Sequence, residues 1–134
     1  MIAALFAGFV PAGAARSETV LSAEEFDRFT TGTTLYFARR GTAYGAEQYL
    51  SGRRVIWTFL DGTCQRGLWY PEGDGICFQY EGQPDAQCWH FLETRTGKSA
   101  RVIGDDPRND LRVVGQNTAP VECLGPQVGV RFTR

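Results

Sequence analysis

The side chains best equipped for chemistry are four cysteines, Cys64, Cys77, Cys88 and Cys123, and a single histidine, His90. Three of these cysteines and the histidine fall in one stretch, CQRGLWYPEGDGICFQYEGQPDAQCWHF, running from Cys64 to Phe91. Thiolates and an imidazole are legitimate ligands for a structural Cys3His zinc site. The spacing speaks against zinc, because no close C-x2-C pair is present. Without CxxC or CxxCH, the motifs of a thioredoxin-type redox centre and of covalent haem attachment are also missing. Oxidation is the remaining chemistry. Four cysteines in a small exported chain imply two disulfides, with three possible connectivities. No metal and no cofactor is expected.

Other catalytic templates are incomplete. One histidine rules out HExxH and any multi-histidine metal centre, and GxSxG, GxxxxGK[ST] and GxGxxG do not occur. Ser51 and Ser99 have no base nearby in sequence, and His90 lies inside a strand-like pattern. The acid pairs Glu24–Glu25 and Asp105–Asp106 sit beside a helix cap and a turn, where carboxylates are ordinary. DDPRND lacks the spaced D-x-D-x-[DN]-G loop of a calcium site. No catalytic residue is assigned, and nothing requires an enzyme. A net charge of -1 gives no electrostatic case for nucleic acid or an anionic membrane surface. The best exposed candidate for binding is a patch of Arg39, Arg40, Tyr44, Tyr49, Arg53 and Arg54. If AYGAEQYL folds back as a hairpin of its own, the flanking arginines gather into a site for carboxylate or phosphate.

These residues need a frame. At 134 residues the chain has room for one domain, and 43% hydrophobic with 22% charged residues is ordinary for a globular protein. The opening MIAALFAGFVPAGAARS is expected to lie outside it: a short apolar run precedes Ala12-Gly13-Ala14, a small-x-small cleavage pattern. Residues 1–14 are therefore assigned as a signal peptide, 15–21 as a linker and 22–134 as a single β-rich domain. The run is too short to span a bilayer, so no transmembrane anchor is expected. It lacks a positively charged n-region, which fits a true start upstream of Met1. The expected location is the periplasm or outside the cell.

Ser22 and Glu25 make a capping box, predicting a short helix over 23–29 that Gly32 stops, with Leu21, Phe26 and Phe29 on its apolar side. Beyond Thr33 the pattern turns to β. Strands are predicted at 34–39, 46–50, 53–60, 67–70, 76–81, 88–93, 99–104, 110–115 and 128–133, divided by turn-rich segments. Short strands and tight turns predict an antiparallel meander forming a small barrel or sandwich. Placing the turns at PEGD and EGQPD sets Trp69 opposite Ile76, Phe78 opposite Trp89 and Cys77 opposite His90. Trp69, Ile76, Phe78, Tyr80, Trp89 and Phe91 then share one face, with Trp57 and Phe59 in phase. Cys64, Leu68, Cys77, Gln79, Cys88 and His90 share the other. In this register Cys77 and Cys88 are diagonal neighbours, which favours the pairs Cys64–Cys77 and Cys88–Cys123. The aromatic face is either a filled core or the lining of a hollow barrel.

The runs TLYFARRGTAYGAEQYL, RRVIWTFLDGTC, GLWYPEGDGICFQYEG and QCWHF resemble a family of small exported alphaproteobacterial proteins of unknown function, over roughly Leu21 to Phe91. The resemblance implies an envelope or secreted location and a compact β domain. It brings no activity, substrate or catalytic residue. The expected function is a non-enzymatic module that binds a protein or envelope component through the arginine–tyrosine patch. The alternative is a carrier of a small apolar ligand in an aromatic-lined barrel.

Overall fold

The computed structural model describes residues 3–5, 7, 8 and 18–124. The assigned signal peptide falls largely outside them, and the strand expected at 128–133 does so entirely. Eight antiparallel strands close into a barrel: β2 (Thr34–Arg39), β3 (Thr42–Tyr49), β4 (Arg54–Thr58), β5 (Cys64–Glu72), β6 (Gly75–Tyr80), β7 (Gln87–Thr94), β8 (Gly97–Val102) and β9 (Leu111–Asn117). Each pairs with the next in sequence, and β9 returns to pair with β2. The preceding β1 (Thr19–Val20) pairs with the far half of β7, at Leu92 and Glu93, beyond the residues that pair with β6. Closure leaves no long exposed edge and answers the open choice between barrel and sandwich.

An α-helix, α1 (Ala23–Thr30), enters one end. The Ser22 hydroxyl accepts from the Glu25 amide and the Glu25 carboxylate accepts from the Ser22 amide, so the capping box forms as the sequence predicts. Gly32, at φ +85°, turns the chain into β2, and its amide donates to the Tyr49 carbonyl at the end of β3. Phe26 is fully buried; its ring centroid lies 4.9 Å from Trp69, 4.5 Å from Phe91 and 5.6 Å from Tyr49. The helix is a plug. It seals the end where β3 finishes, and burying one phenylalanine there contributes on the order of 2–3 kcal/mol.

Two registers differ from expectation by two residues. Trp69 faces Phe78, not Ile76, because Gly73 and Asp74 alone make the β5–β6 turn, with Gly73 at φ +58°. Across the next hairpin Ile76 faces Trp89, Cys77 faces Cys88 and Phe78 faces Gln87. A two-residue slip leaves every side chain on its original face, so hydrophobic alternation cannot detect it. Trp69, Ile76, Phe78 and Phe91 accordingly point inward and are buried as predicted.

The slip does change the disulfides. Directly opposed, Cys77 and Cys88 bond to each other, and Cys64 bonds to Cys123. The expected pairs Cys64–Cys77 and Cys88–Cys123 are thereby corrected. Tyr70 is the residue opposite Cys77, which leaves Cys64 six positions along β5, roughly 20 Å away. Cys123 belongs to a segment that crosses the outer wall of the barrel. There Ala119 accepts from Thr34, Val121 donates to Gln48 and Leu124 donates to the Gly62 carbonyl. With Cys64–Cys123 it covers the otherwise outward-facing Ala46 and Thr58, both buried.

Candidate functional site: an aromatic cavity at the open end

The end of the barrel opposite α1 is hollow. A cavity of about 180 Å³ opens there, with Phe37, Trp57, Phe78, Phe91, Ala100 and Leu111 among its walls. Tyr44, Phe59, Gln83, Asp85 and Gln87 also contribute to its lining. The rings are mutually braced: Trp57 lies 5.2 Å from Phe59, 5.9 Å from Tyr44 and 6.0 Å from Phe37. Trp57 is 8% exposed whereas Phe59 is 49% exposed, so one marks the wall and the other the entrance.

Local backbone makes this arrangement possible. Phe37 pairs with Gly45 and Ala38 with Ala43, leaving Tyr44 as an extra, bulged residue on β3. The bulge brings Tyr44 to the cavity, where the Arg39 guanidinium stacks 4.8 Å from its ring centroid. Gly45 follows it. A Cβ at this position would lie 2.3 Å from the Trp57 ring, so only glycine lets the indole lie flat on the wall. Gly67 plays the same part beside Tyr80, where a Cβ would come within 2.8 Å of the ring.

Glu47 is a carboxyl side chain enclosed with these rings. It is 4% exposed, between Leu35 on β2 and Trp57 on β4 in the sheet register. Tyr80 donates its hydroxyl hydrogen to the Glu47 carboxylate at 2.5 Å. The buried Tyr49 hydroxyl lies nearby on the same strand face but outside hydrogen-bond geometry. Burial dominates and pushes the Glu47 carboxyl up to about 8, against the opposing pull of the two phenols. Tyr80 and Tyr49 are themselves pushed up, first by burial and then by the adjoining carboxylate. At neutral pH the group is mostly a neutral acid. Its burial costs far less in that form.

The predicted binding patch does not assemble. AYGAEQY is a single strand within β3, not a separate hairpin, because the chain reverses tightly at Arg40 and Gly41, at φ +50° and +79°. Arg39 and Arg40 stand at one end of that strand, and Arg53 and Arg54 beyond the other, roughly 25 Å apart. Tyr49 is buried in the core rather than exposed. Each arginine has local work: Arg40 donates to Asn109 and to the Arg108 carbonyl, Arg54 donates to Ser51, and Arg53 lies over Trp69. Only Tyr44 of the six lines the cavity. Sequence reading missed Glu47, Gly45 and Gly67. The available signal was an acid two residues from a tyrosine on the inward phase of a barrel strand.

The remaining candidates are structural. His90 bonds to Asp74 at 2.8 Å, an exposed contact that holds the Asp74 carboxyl below its ordinary range through a hydrogen bond and charge. Glu72, Cys77 and Cys88 cluster within 4.8 Å, but both sulfurs are consumed in the disulfide. No cysteine is free among the described residues. Two disulfides indicate an oxidising, non-cytoplasmic compartment. Among the described residues, no helix is long and apolar enough to cross a membrane. Comparisons with protein-family models, with curated proteins and with solved structures found no match.

Proposed function

We propose that this protein is an exported, non-enzymatic binding barrel for a small, largely apolar ligand, acting in the periplasm or outside the cell. The observation that carries this reading is the asymmetric interior: α1 fills one end, and an aromatic cavity of about 180 Å³ opens at the other. Eight-stranded barrels have interiors just wide enough either to fill with side chains or to hold one small ligand. A cavity of roughly 150 Å³ accommodates a benzene-sized molecule. The ligand body would therefore be about one ring, gripped by Trp57, Phe78 and Phe91. The reading through the arginine–tyrosine patch is weaker, because its members lie at opposite ends of β3 or in the core.

The test is a titration with single-ring aromatics, followed by tryptophan fluorescence. Trp57 and Trp89 line the cavity and Trp69 packs at the plug. Saturable quenching should vanish in Ala100→Leu, which fills the cavity from β8 while adding only apolar volume. Binding that survives this substitution, or none in the wild type, would overturn the proposal.

A further inference from the structure

The cavity has a charge pattern as well as a shape. Its lining contains two acids, Glu47 and Asp85, and three glutamines, Gln65, Gln83 and Gln87, but no lysine, arginine or histidine. Among the described residues, no cationic side chain pairs with Glu47, although it is 4% exposed. A buried carboxyl is normally matched by a cation or a metal, and this one has only phenols. The neighbouring walls are aromatic. Tyr44, Trp57 and Phe59 are in mutual contact at 5.2–5.9 Å beside the entrance, and aromatic faces attract cations: Tyr44 already carries the Arg39 guanidinium, whereas among the described residues no cation lies over Trp57 or Phe59.

We infer that the ligand is a small organic cation, an ammonium or quaternary ammonium head on an apolar body, drawn toward Glu47 past the rings of Trp57 and Phe59. This rests on the cavity being a ligand site, and it names the class of ligand. Anions are disfavoured by two acids in the lining, since the neighbouring Arg39 guanidinium is stacked on Tyr44 and is not part of it. A neutral hydrogen-bonding ligand would use Glu47 as a donor but leave the faces of Trp57 and Phe59 without a charge to meet.

Cation binding beside Glu47 has a pH signature. The groups packed around Glu47 are Tyr49 on its own strand, Tyr80 from β6, Trp57 from β4 and Leu35 from β2, with Asp85 near the mouth. Both tyrosines are pushed upward and stay protonated through the neutral range. Glu47 is mostly protonated below about 8, so a cation must displace its proton there. Cation affinity should therefore rise with pH until the carboxyl is ionised.

Calorimetric titration with benzyltrimethylammonium, whose charge does not titrate, and with its neutral analogue neopentylbenzene separates the possibilities. The cation should bind about tenfold tighter than the neutral probe at about pH 9, and gain about tenfold or more from pH 6 to pH 9. Glu47→Gln should abolish the gain, whereas Asp85→Asn should retain most of it. Equal binding of both probes, unchanged in Glu47→Gln, would overturn the cation assignment while leaving the cavity as a binding site. Failure of both probes to bind wild-type protein would remove the cavity reading itself. The folded state of Glu47→Gln is checked by its thermal transition, because an isosteric neutral side chain suits this buried position.

Discussion

The two ends of the barrel are made from similar residues and behave differently. At the sealed end Tyr49, Trp69, Phe78 and Phe91 surround Phe26, an aromatic ring delivered by α1. At the open end Tyr44, Trp57 and Phe59 meet one another edge-on or tilted, and no helix of the described residues enters. Inward aromatics alone do not decide whether a small barrel is solid or hollow. What decides it is an inserted segment, together with the glycines that let rings lie against the wall. Gly45 flattens Trp57 and thereby helps keep the space empty.

Breaking the sealed end should have the largest effect on stability. Phe26→Ala removes a ring in contact with four others and should cost about 3–5 kcal/mol, read as a lower denaturation midpoint in urea. Binding at the open end should persist in whatever fraction stays folded. Next comes the cross-strand disulfide. Replacing Cys77 and Cys88 with serine opens an 11-residue separation and should cost about 3 kcal/mol by chain entropy, measured the same way.

The open end should reveal itself through pH. Glu47 is raised from an ordinary 4.5 to about 8 in the folded protein, so between those values the folded state holds a proton that the unfolded chain releases. The contribution of this group is therefore fully favourable below about 4.5, is lost as pH rises, and levels off above about 8. Urea titrations at about pH 5 and pH 8.5 should show wild-type stability falling relative to Glu47→Gln, by on the order of a few kcal/mol. Parallel curves would mean that Glu47 is better solvated than its burial indicates.

Gly45→Ala sharpens the comparison further. It should displace the Trp57 ring and weaken single-ring ligands about tenfold or more, with the helix-plugged end intact. The smallest effect belongs to the seam between β8 and β9, which has only two register pairs. There Arg101 bridges Asp110 at 2.7 Å and Glu18 at 2.8 Å. Arg101→Ala should cost about 1 kcal/mol in thermal or urea denaturation, reduced by salt.

Much of this frame was legible in the sequence because local rules determine it. Ser22 and Glu25 predict the helix cap, alternation assigns inward and outward faces, and β2 at 34–39 matches its predicted span. Pairing partners were less legible, since slipping a hairpin by two residues preserves every face while exchanging Ile76 for Phe78 opposite Trp69. The disulfide error followed from that slip. The site was least legible. Reading AYGAEQYL as a hairpin of its own assigned Glu47 no role, whereas a continuous β3 turns it inward. A carboxyl facing a cavity is a property of barrel closure, and closure depends on β9 meeting β2 nearly eighty residues away.

The most direct measurement is nuclear Overhauser spectroscopy on the protein with a single-ring aromatic probe, resolving which protein rings its protons approach. Contacts to Trp57 and Trp89, with none to Phe26 or Trp69, are the predicted result. Contacts confined to the outer groove beside Tyr36 and Val121, or to the helix-plugged end, would contradict a barrel hollow at one end and built there to bind.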